Sequence, residues 1–564
     1  MKFLVLFVIT SIILSCQSIG IPKRDLSNIN QKPKHIIITI HGLSGNASTF
    51  GYFKEVTEKY LNEANTNYKA EVVNFVYPTG ENESQGTYDF ALGPKGLDHF
   101  INKLYLEKNL TPNDKISFVC HSQGGIIAYM WYFTTLTSGT ENSKILYNIE
   151  NIITLGTPFW GSKIASVLTD DRNPDIIPLM KLFAPEDFQI TRREISDLAF
   201  GSDIVHNLRS MAIKLDQDPT FKAKLEKMPV RMMNIIGLLP YNKDELYIGK
   251  VQGEKATSAA ARYVVNIIYH LYKQSYMGYK NKRIENDIAV PVTSSRWNFI
   301  YSAPQLIRKN QIIESNSFVD FSQLVNKSKF IFTESSHLPF ETEKTLSMAY
   351  INQSCIDVNR CDHPTYRYVL EALANCKEFG ICKNQNYVDI INKFKYSDYE
   401  EYEKFKLIKK NIQSFALQFN LKFKKGTIDS WPVRFFKKKI VYPHGEDINE
   451  MWTLKNYGLV PKIIDLGTDE DGLTNSSKNT PYRIYLADPL ETKSIDVMSR
   501  TSNEKRNYDD IRINLTGRVE TISQQKKSHY IVPLKIKIPN GPEVLVKAKV
   551  RPGYSTYFEL DYTQ

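Results

Sequence analysis

The sequence predicts an α/β fold: a mostly parallel β-sheet flanked by helices, with a smaller β-rich domain towards the C-terminal end. Three observations carry this. Short apolar, β-branched runs alternate with helical stretches through the first two thirds of the chain. One of those runs passes straight into a small-x-Ser-x-Gly turn and a helix, at Cys120 to Gly124. Beyond about residue 385 the rhythm changes to Lys-rich, aromatic and alternating segments. A length of 564 residues calls for two to four domains, and 42% hydrophobic with 24% charged residues is a globular composition.

Taken in order, residues 35–40 (His-Ile-Ile-Ile-Thr-Ile) have no polar alternation, as expected of a strand covered on both faces. A helix is expected over 52–65, a strand over 71–76 and a helix over 89–108. A buried strand follows at 115–119, then a helix after Ser122, then strands at 149–155 and 230–236. Residues 159–229 interrupt this order with apolar patches such as Ile176, Ile177, Leu179 and Met180, and are expected to form a helical, lid-like insertion. The catalytic domain is therefore drawn as 34–385 and the β-rich domain as 386–564. Near the end, 530–538 and 543–550 alternate apolar residues with Lys around Asn540-Gly541, which predicts a hairpin.

The net charge of +11 comes with no nucleic-acid motif, so it is read as a solvated basic face and nucleic acid is not expected as a partner. The first residues carry a different message. Lys2 precedes an apolar run over 3–14, too short to span a bilayer and of the length of a secretory leader. Ile13-Leu14-Ser15-Cys16 resembles a bacterial lipobox, which implies a leader over 1–15, lipidation of Cys16 and anchoring in the cell envelope by way of a tether over 16–33. Four of the six cysteines (Cys355, Cys361, Cys376 and Cys382) fall close together and can form two disulfides in an oxidising compartment, with three possible pairings. Five residues separate the members of each close pair, which is longer than common zinc-site spacing.

The chemistry centres on Ser122. A strand that turns sharply into a helix holds the serine in a strained backbone and needs small neighbours two positions away on either side; Cys120 and Gly124 fill those places. Cys120 is read as packing, not reactive. The helix N-terminus also favours a developing oxyanion. His41-Gly42-Leu43-Ser44-Gly45 follows the first buried strand and resembles the His-Gly loop of lipases and esterases. There the amides of Leu43 and Gln123 are expected to form the oxyanion hole, with His41 structural. Leu155-Gly156-Thr157-Pro158-Phe159-Trp160-Gly161-Ser162 follows the next strand in the manner of lipase-like enzymes, with a weaker echo at 198–202.

Over about residues 34–380 the chain thus resembles a bacterial lipase or esterase of the α/β-hydrolase superfamily, and is similar to its inositol-deacylase-like branch. The resemblance implies a triad in the order Ser, acid, His and no metal or organic cofactor; a structural calcium is left open. Asp287, in Asn286-Asp287-Ile288-Ala289-Val290-Pro291, matches the lipase acid segment; Glu285 and Asp244 are its rivals. Of ten histidines, His337 lies after the apolar run 330–332, where the superfamily keeps its base, and His363 is the runner-up. Together these imply carboxylic ester hydrolysis through an acyl-enzyme, with a lipid or other ester as substrate. Acyl transfer to an alcohol, or surface binding on a hydrolase scaffold, are the alternatives.

Overall fold

The computed structural model describes residues 32–63, 67–139, 141–169, 190–239, 284–306, 312–314, 317–319, 329–337, 347–361, 363–374, 411–425, 460–463, 482–487, 508–521, 528–537 and 543–563. The leader, Cys16, most of the tether, Asp244, Cys376 and Cys382 lie outside these residues. No helix among the described residues is long and apolar enough to cross a membrane.

Six strands form one all-parallel sheet: β1 (Lys34–Ile40), β2 (Lys69–Phe75), β3 (Lys115–His121), β4 (Ile149–Leu155), β5 (Arg231–Gly237) and β9 (Lys329–Thr333), in the order β2-β1-β3-β4-β5-β9. The unbroken apolar runs have the expected cause. Successive side chains of a strand leave on opposite faces, and here both faces are covered. Ile36, Ile38 and Ile40 of β1 enter one core with Phe118 and Ile152, while Ile37 enters the other with Val119 and Ile153.

The second core is capped by α1 (Phe53–Glu63) and by a later helix, Tyr366–Leu373, through Phe53, Val56, Tyr366 and Leu370. On the first face lie α2 (Thr87–Leu92), α3 (Leu97–Glu107) and α4 (Gln123–Ser138). α4 is apolar on all sides, from Ile126 through Phe133, because it is enclosed between the sheet and further helices. The helix expected over 89–108 is two. Pro94 has no amide to donate, and between Gly93 and Gly96 it ends α2 and lets α3 start afresh.

Four helices of the expected insertion are described: α5 (Lys163–Leu168), α6 (Arg192–Leu198), α7 (Asp203–Gln217) and α8 (Pro219–Lys227); residues 170–189 lie outside the described residues. α7 is a buried layer, while the apolar patch over 176–183 that suggested a lid lies outside the described residues. Ile204, Val205, Leu208 and Ala212 join the first core, and the Arg209 guanidinium sits between Trp160 and Tyr557, 5.2 and 4.5 Å from their ring centres.

The remaining strands build two further sheets. β10 (Ser414–Lys424), β12 (Tyr482–Ala487), β13 (Tyr508–Thr521) and β16 (Ser555–Tyr562) join β6 (Phe299–Leu306) and β8 (Ser317–Val319) in the order β12-β13-β10-β16-β6-β8. β11 (Val460–Ile463), β14 (Tyr530–Lys537) and β15 (Glu543–Val550) join β7 (Ile312–Glu314) in the order β11-β14-β15-β7. β14 and β15 pair antiparallel, Tyr530 opposite Val550, as the hairpin pattern requires.

Strand pairing crosses the boundary drawn at 385. Residues 299–319 precede it in the chain, yet β6 pairs in parallel with β16 (Phe299 opposite Ser555) and β7 with β15. A strand's partners are set by the core it helps to cover, and Phe299 and Tyr301 share theirs with Tyr557.

Candidate active site

Ser122 stands at the turn between β3 and α4 with φ 52° and ψ −122°, a backbone that L-residues rarely adopt. Close neighbours hold it there. The Ser122 amide donates to Leu155 O at 2.9 Å, and Thr157 Oγ1 donates to Ser122 O at 2.9 Å. A Cβ at Gly124 would lie 2.6 Å from His41 O, and one at Gly125 would collide with Thr157. Those glycines therefore let β1, β4 and α4 close around the serine. The site lies at the carboxyl ends of β1 and β3, where the chain order reverses from β2-β1 to β3-β4, the usual crevice of such sheets.

The structure brings Ser122, Asp287 and His337 together. His337 Nδ1 is 2.9 Å from Asp287 Oδ2, and its Nε2 is 2.8 Å from Ser122 Oγ. A carboxylate only accepts, so Nδ1 carries the proton and the Nε2 lone pair receives the Ser122 hydroxyl. All three are at least 90% buried: Ser122 is 7%, His337 4% and Asp287 0% exposed. Asp287 crowns a tight turn. Its Oδ1 accepts from the amides of Ala289 (3.1 Å) and Val290 (2.7 Å), and its own carbonyl accepts from the His337 amide at 2.9 Å. Ile288 takes φ 91°, a costly conformation for a β-branched residue, and its amide is held by Asn286 Oδ1 at 2.7 Å.

The loop after β1 packs against the serine as closely. A Cβ at Gly42 would sit 2.9 Å from Ser122 Cβ, so the Leu43 amide directly follows a residue in contact with the serine. Among the described residues the Leu43 amide has no hydrogen-bond acceptor, and Gln123, first in α4, has none within its helix. The Gln123 side chain is fixed at both ends: Nε2 donates to Thr87 Oγ1 (3.0 Å) and Oε1 accepts from Tyr77 Oη (3.1 Å). His41 is structural, as expected. Its Nδ1–H donates to Gly42 O at 2.9 Å, its Nε2 accepts from the Tyr77 amide at 3.3 Å, and its ring stacks on Tyr77. Burial lowers the His41 pKa, so the neutral ring this pairing needs is favoured.

Several residues here carry no obvious mark in the sequence. Gly156 belongs to the Leu-Gly-Thr-Pro motif, but its role is spatial: with φ 58°, a Cβ on it would lie 2.7 Å from Asp287 Oδ2 and 2.8 Å from His337 Nδ1. His121, beside the serine, donates from Nε2 to His337 O at 3.1 Å. Burial first and the neighbouring His337 second push its pKa well below the histidine range, so it stays neutral. Two carboxylates of α6 hold the loop after β2: Glu194 Oε2 accepts from the Gly80 amide at 2.9 Å and Asp197 Oδ2 from the Thr87 amide at 2.8 Å.

The rival residues have other duties. Glu285 accepts from the amides of Gln413 and Ser414 at the start of β10, and His363 Nδ1 accepts from the Tyr366 amide at 3.1 Å. Cys120 is fully buried, with its thiol pKa pushed up by burial, in keeping with packing. Cys355 and Cys361 form a disulfide. No group of three or more His, Cys, Asp or Glu side chains among the described residues is arranged to hold a metal ion.

The fold is α/β: a parallel sheet flanked by helices, together with β-rich sheets to which the C-terminal third contributes most strands. The family described as "Putative serine esterase (DUF676)" matches residues 30–169, the stretch that holds the His41 loop, Ser122 and Gly156. No curated protein matches the chain. Among solved structures, phospholipase PlaB from Legionella pneumophila is 12% identical, over 94% of this chain and 93% of its own, with a TM-score of 0.46. Lipase BlEst2 of Bacillus licheniformis in its mature form is 18% identical, over 47% of this chain and 80% of its own, with a TM-score of 0.27. The monoacylglycerol lipase of Paleococcus ferrophilus is 15% identical, over 37% of this chain and 75% of its own, with a TM-score of 0.22.

Proposed function

We propose that this protein is a serine hydrolase of carboxylic esters, with lipid acyl esters as its substrates. The observation that carries the reading is the continuous hydrogen-bond chain from Asp287 through His337 to Ser122, set beside the open amides of Leu43 and Gln123. In this reading His337 Nε2 takes the Ser122 proton as Oγ attacks the ester carbonyl. Asp287 stabilises the imidazolium that forms, and the two amides receive the oxyanion. His337 then protonates the departing alcohol. A water deprotonated by the same Nε2 releases the acid from Ser122.

The lipid preference rests on the reading of Cys16 as an anchor, which would keep the enzyme at a membrane surface. The Cys355–Cys361 disulfide supports an oxidising, exported location for the same protein. The test has two parts. A fluorophosphonate probe should label the wild type and not Ser122→Ala; labelling that survives in the alanine variant removes Ser122 as nucleophile. Hydrolysis of p-nitrophenyl esters should then favour medium or long acyl chains. A sharp preference for acetate would sink the lipid assignment and leave the hydrolase assignment standing.

A further inference from the structure

We infer that Glu285, anchored on the C-terminal sheet, is a positioning residue that sets the Asp287 turn, and through it His337. The inference rests on the esterase reading only in naming the reaction that it serves. Glu285 begins the turn that presents the acid. Its carbonyl accepts from the Val292 amide at 2.9 Å, Asn286 and Pro291 bridge next, and the Asp287 amide donates to Val290 O at 3.2 Å. The turn is thus a miniature hairpin with Asp287 at its tip and Glu285 at its base. Such a short hairpin is not stable by itself, and this one also carries the positive φ of Ile288. Something outside it must hold it.

The Glu285 side chain supplies that hold. Its two oxygens accept from the Gln413 amide (Oε1, 3.2 Å) and the Ser414 amide (Oε2, 3.0 Å), at the very start of β10. Arg518 of β13, directly opposite Ser414, lies 3.6 Å from Oε1 and also donates to Gln413 Oε1 at 2.6 Å. The residue is 9% exposed, so these bonds replace most of the water a free carboxylate would hold. The far side of the turn is tied in the same direction: Ser555 Oγ of β16 donates to Thr293 O at 3.0 Å. The Arg296 guanidinium lies 3.9 Å from the Tyr554 ring centre and 5.2 Å from that of Phe330, on the strand leading to His337. The consequence is geometric. If the base of the turn shifts, the Asp287 carboxylate and the carbonyl that holds the His337 amide move together. A displacement of about 1 Å in such a pair typically costs on the order of 100-fold in turnover.

The test compares Glu285→Ala with Arg512→Gln. Arg512 also joins the C-terminal sheet to the catalytic domain, donating to Asp203 Oδ1 at 2.7 Å, but it does so at α7, away from the turn. Both variants are expected to lower the melting temperature. Only Glu285→Ala should lower kcat, by on the order of 100-fold with KM within about twofold. Only Glu285→Ala should also weaken or remove the low-field proton signal of the His337 Nδ1–H shared with Asp287. Glu285→Gln keeps the length and one acceptor, and should recover part of both. The proton signal needs no substrate. If wild-type Ser122 takes no fluorophosphonate, the esterase reading falls and the spectrum still decides the role of Glu285. An unchanged signal in folded Glu285→Ala, or an equal loss in Arg512→Gln, overturns the inference.

Discussion

Replacing Gly156 by alanine drives a methyl group into the gap between Asp287 and His337. Built on the present backbone, that carbon lies 2.7 Å from Asp287 Oδ2, 2.8 Å from His337 Nδ1 and 2.6 Å from Met348 Sδ. Ordinary contact starts near 3.4 Å, so each polar group must retreat by the difference, 3.4 − 2.7 or 3.4 − 2.8, about 0.6–0.7 Å. They sit on the same side of the new methyl and are joined by one 2.9 Å bond, so their retreat strains that bond and the 2.8 Å contact with Ser122. A misplacement approaching 1 Å costs on the order of 10²-fold, and loss of the correct imidazole tautomer about 10⁴-fold. The expected fall in kcat therefore lies between roughly 10²-fold and 10⁴-fold, or about 2.7–5.5 kcal/mol of barrier. The positive φ adds roughly 1–2 kcal/mol of destabilisation. The assay is turnover of a p-nitrophenyl ester and the rate of fluorophosphonate labelling, alongside thermal unfolding. Gly139→Ala is the control, since Gly139 also has positive φ but nothing within 4 Å of its added carbon; it should lose stability and keep kcat. A folded Gly156→Ala enzyme with kcat within about threefold of wild type would refute the reasoning, because the collision is severe enough to predict a loss of roughly 10²-fold or more.

Tyr77→Phe removes the hydroxyl that bonds His41 O and Gln123 Oε1, both at 3.1 Å. It should lower kcat about tenfold with little change in KM and lower stability by about 1–2 kcal/mol, read by steady-state kinetics and urea unfolding. Burial raises the Asp197 pKa to about 6, while Arg193 pulls it down. The folded protein therefore holds this proton more tightly than the unfolded chain, and the stability gained from it is present at low pH and lost as pH rises from about 4 to 6. Asp197→Asn should thus be the more stable protein at pH 7, by about 1–3 kcal/mol, with the advantage gone at pH 4; urea unfolding at both pH values checks the sign. Reducing the Cys355–Cys361 disulfide, which closes a short loop in the second core, should lower stability by about 2 kcal/mol. Ester turnover at 25 °C should not change, as neither cysteine touches the site.

Much of the catalytic half was legible because its signals are local. The runs 36–40, 116–119 and 149–155 are buried strands by composition alone, and Ser122 sits where strand period gives way to helix. Asp287 and His337 could be singled out because chain order and short motifs restrict the choice, and the structure does place them beside Ser122. What could not be read depends on distance along the chain. Nothing in Phe299-Ile300-Tyr301 says that its partner is Ser555-Thr556-Tyr557 and not a strand of the first sheet. Glu285 looked like a rival acid because its carboxylate is two residues from Asp287, and only the position of Gln413 and Ser414 shows what it binds. Apolar residues imply a covered face but not what covers it, and for α7 that is the main core and the C-terminal sheet.

The pairing of β6 with β16 bears on the order in which a ribosome can deliver a working protein. Strand β6 emerges some 250 residues ahead of its partner, and such remote pairings are slow and leave intermediates exposed. Until residues 555–562 arrive, Phe299 to Leu306 is an open edge, the kind of surface that recruits other chains. The Asp287 turn, which leans on β10 and β16, is likewise unfinished during that interval. Synthesis therefore holds the fold unready until β16 is in place, and a chain stopped short of β16 should come out aggregated and inert.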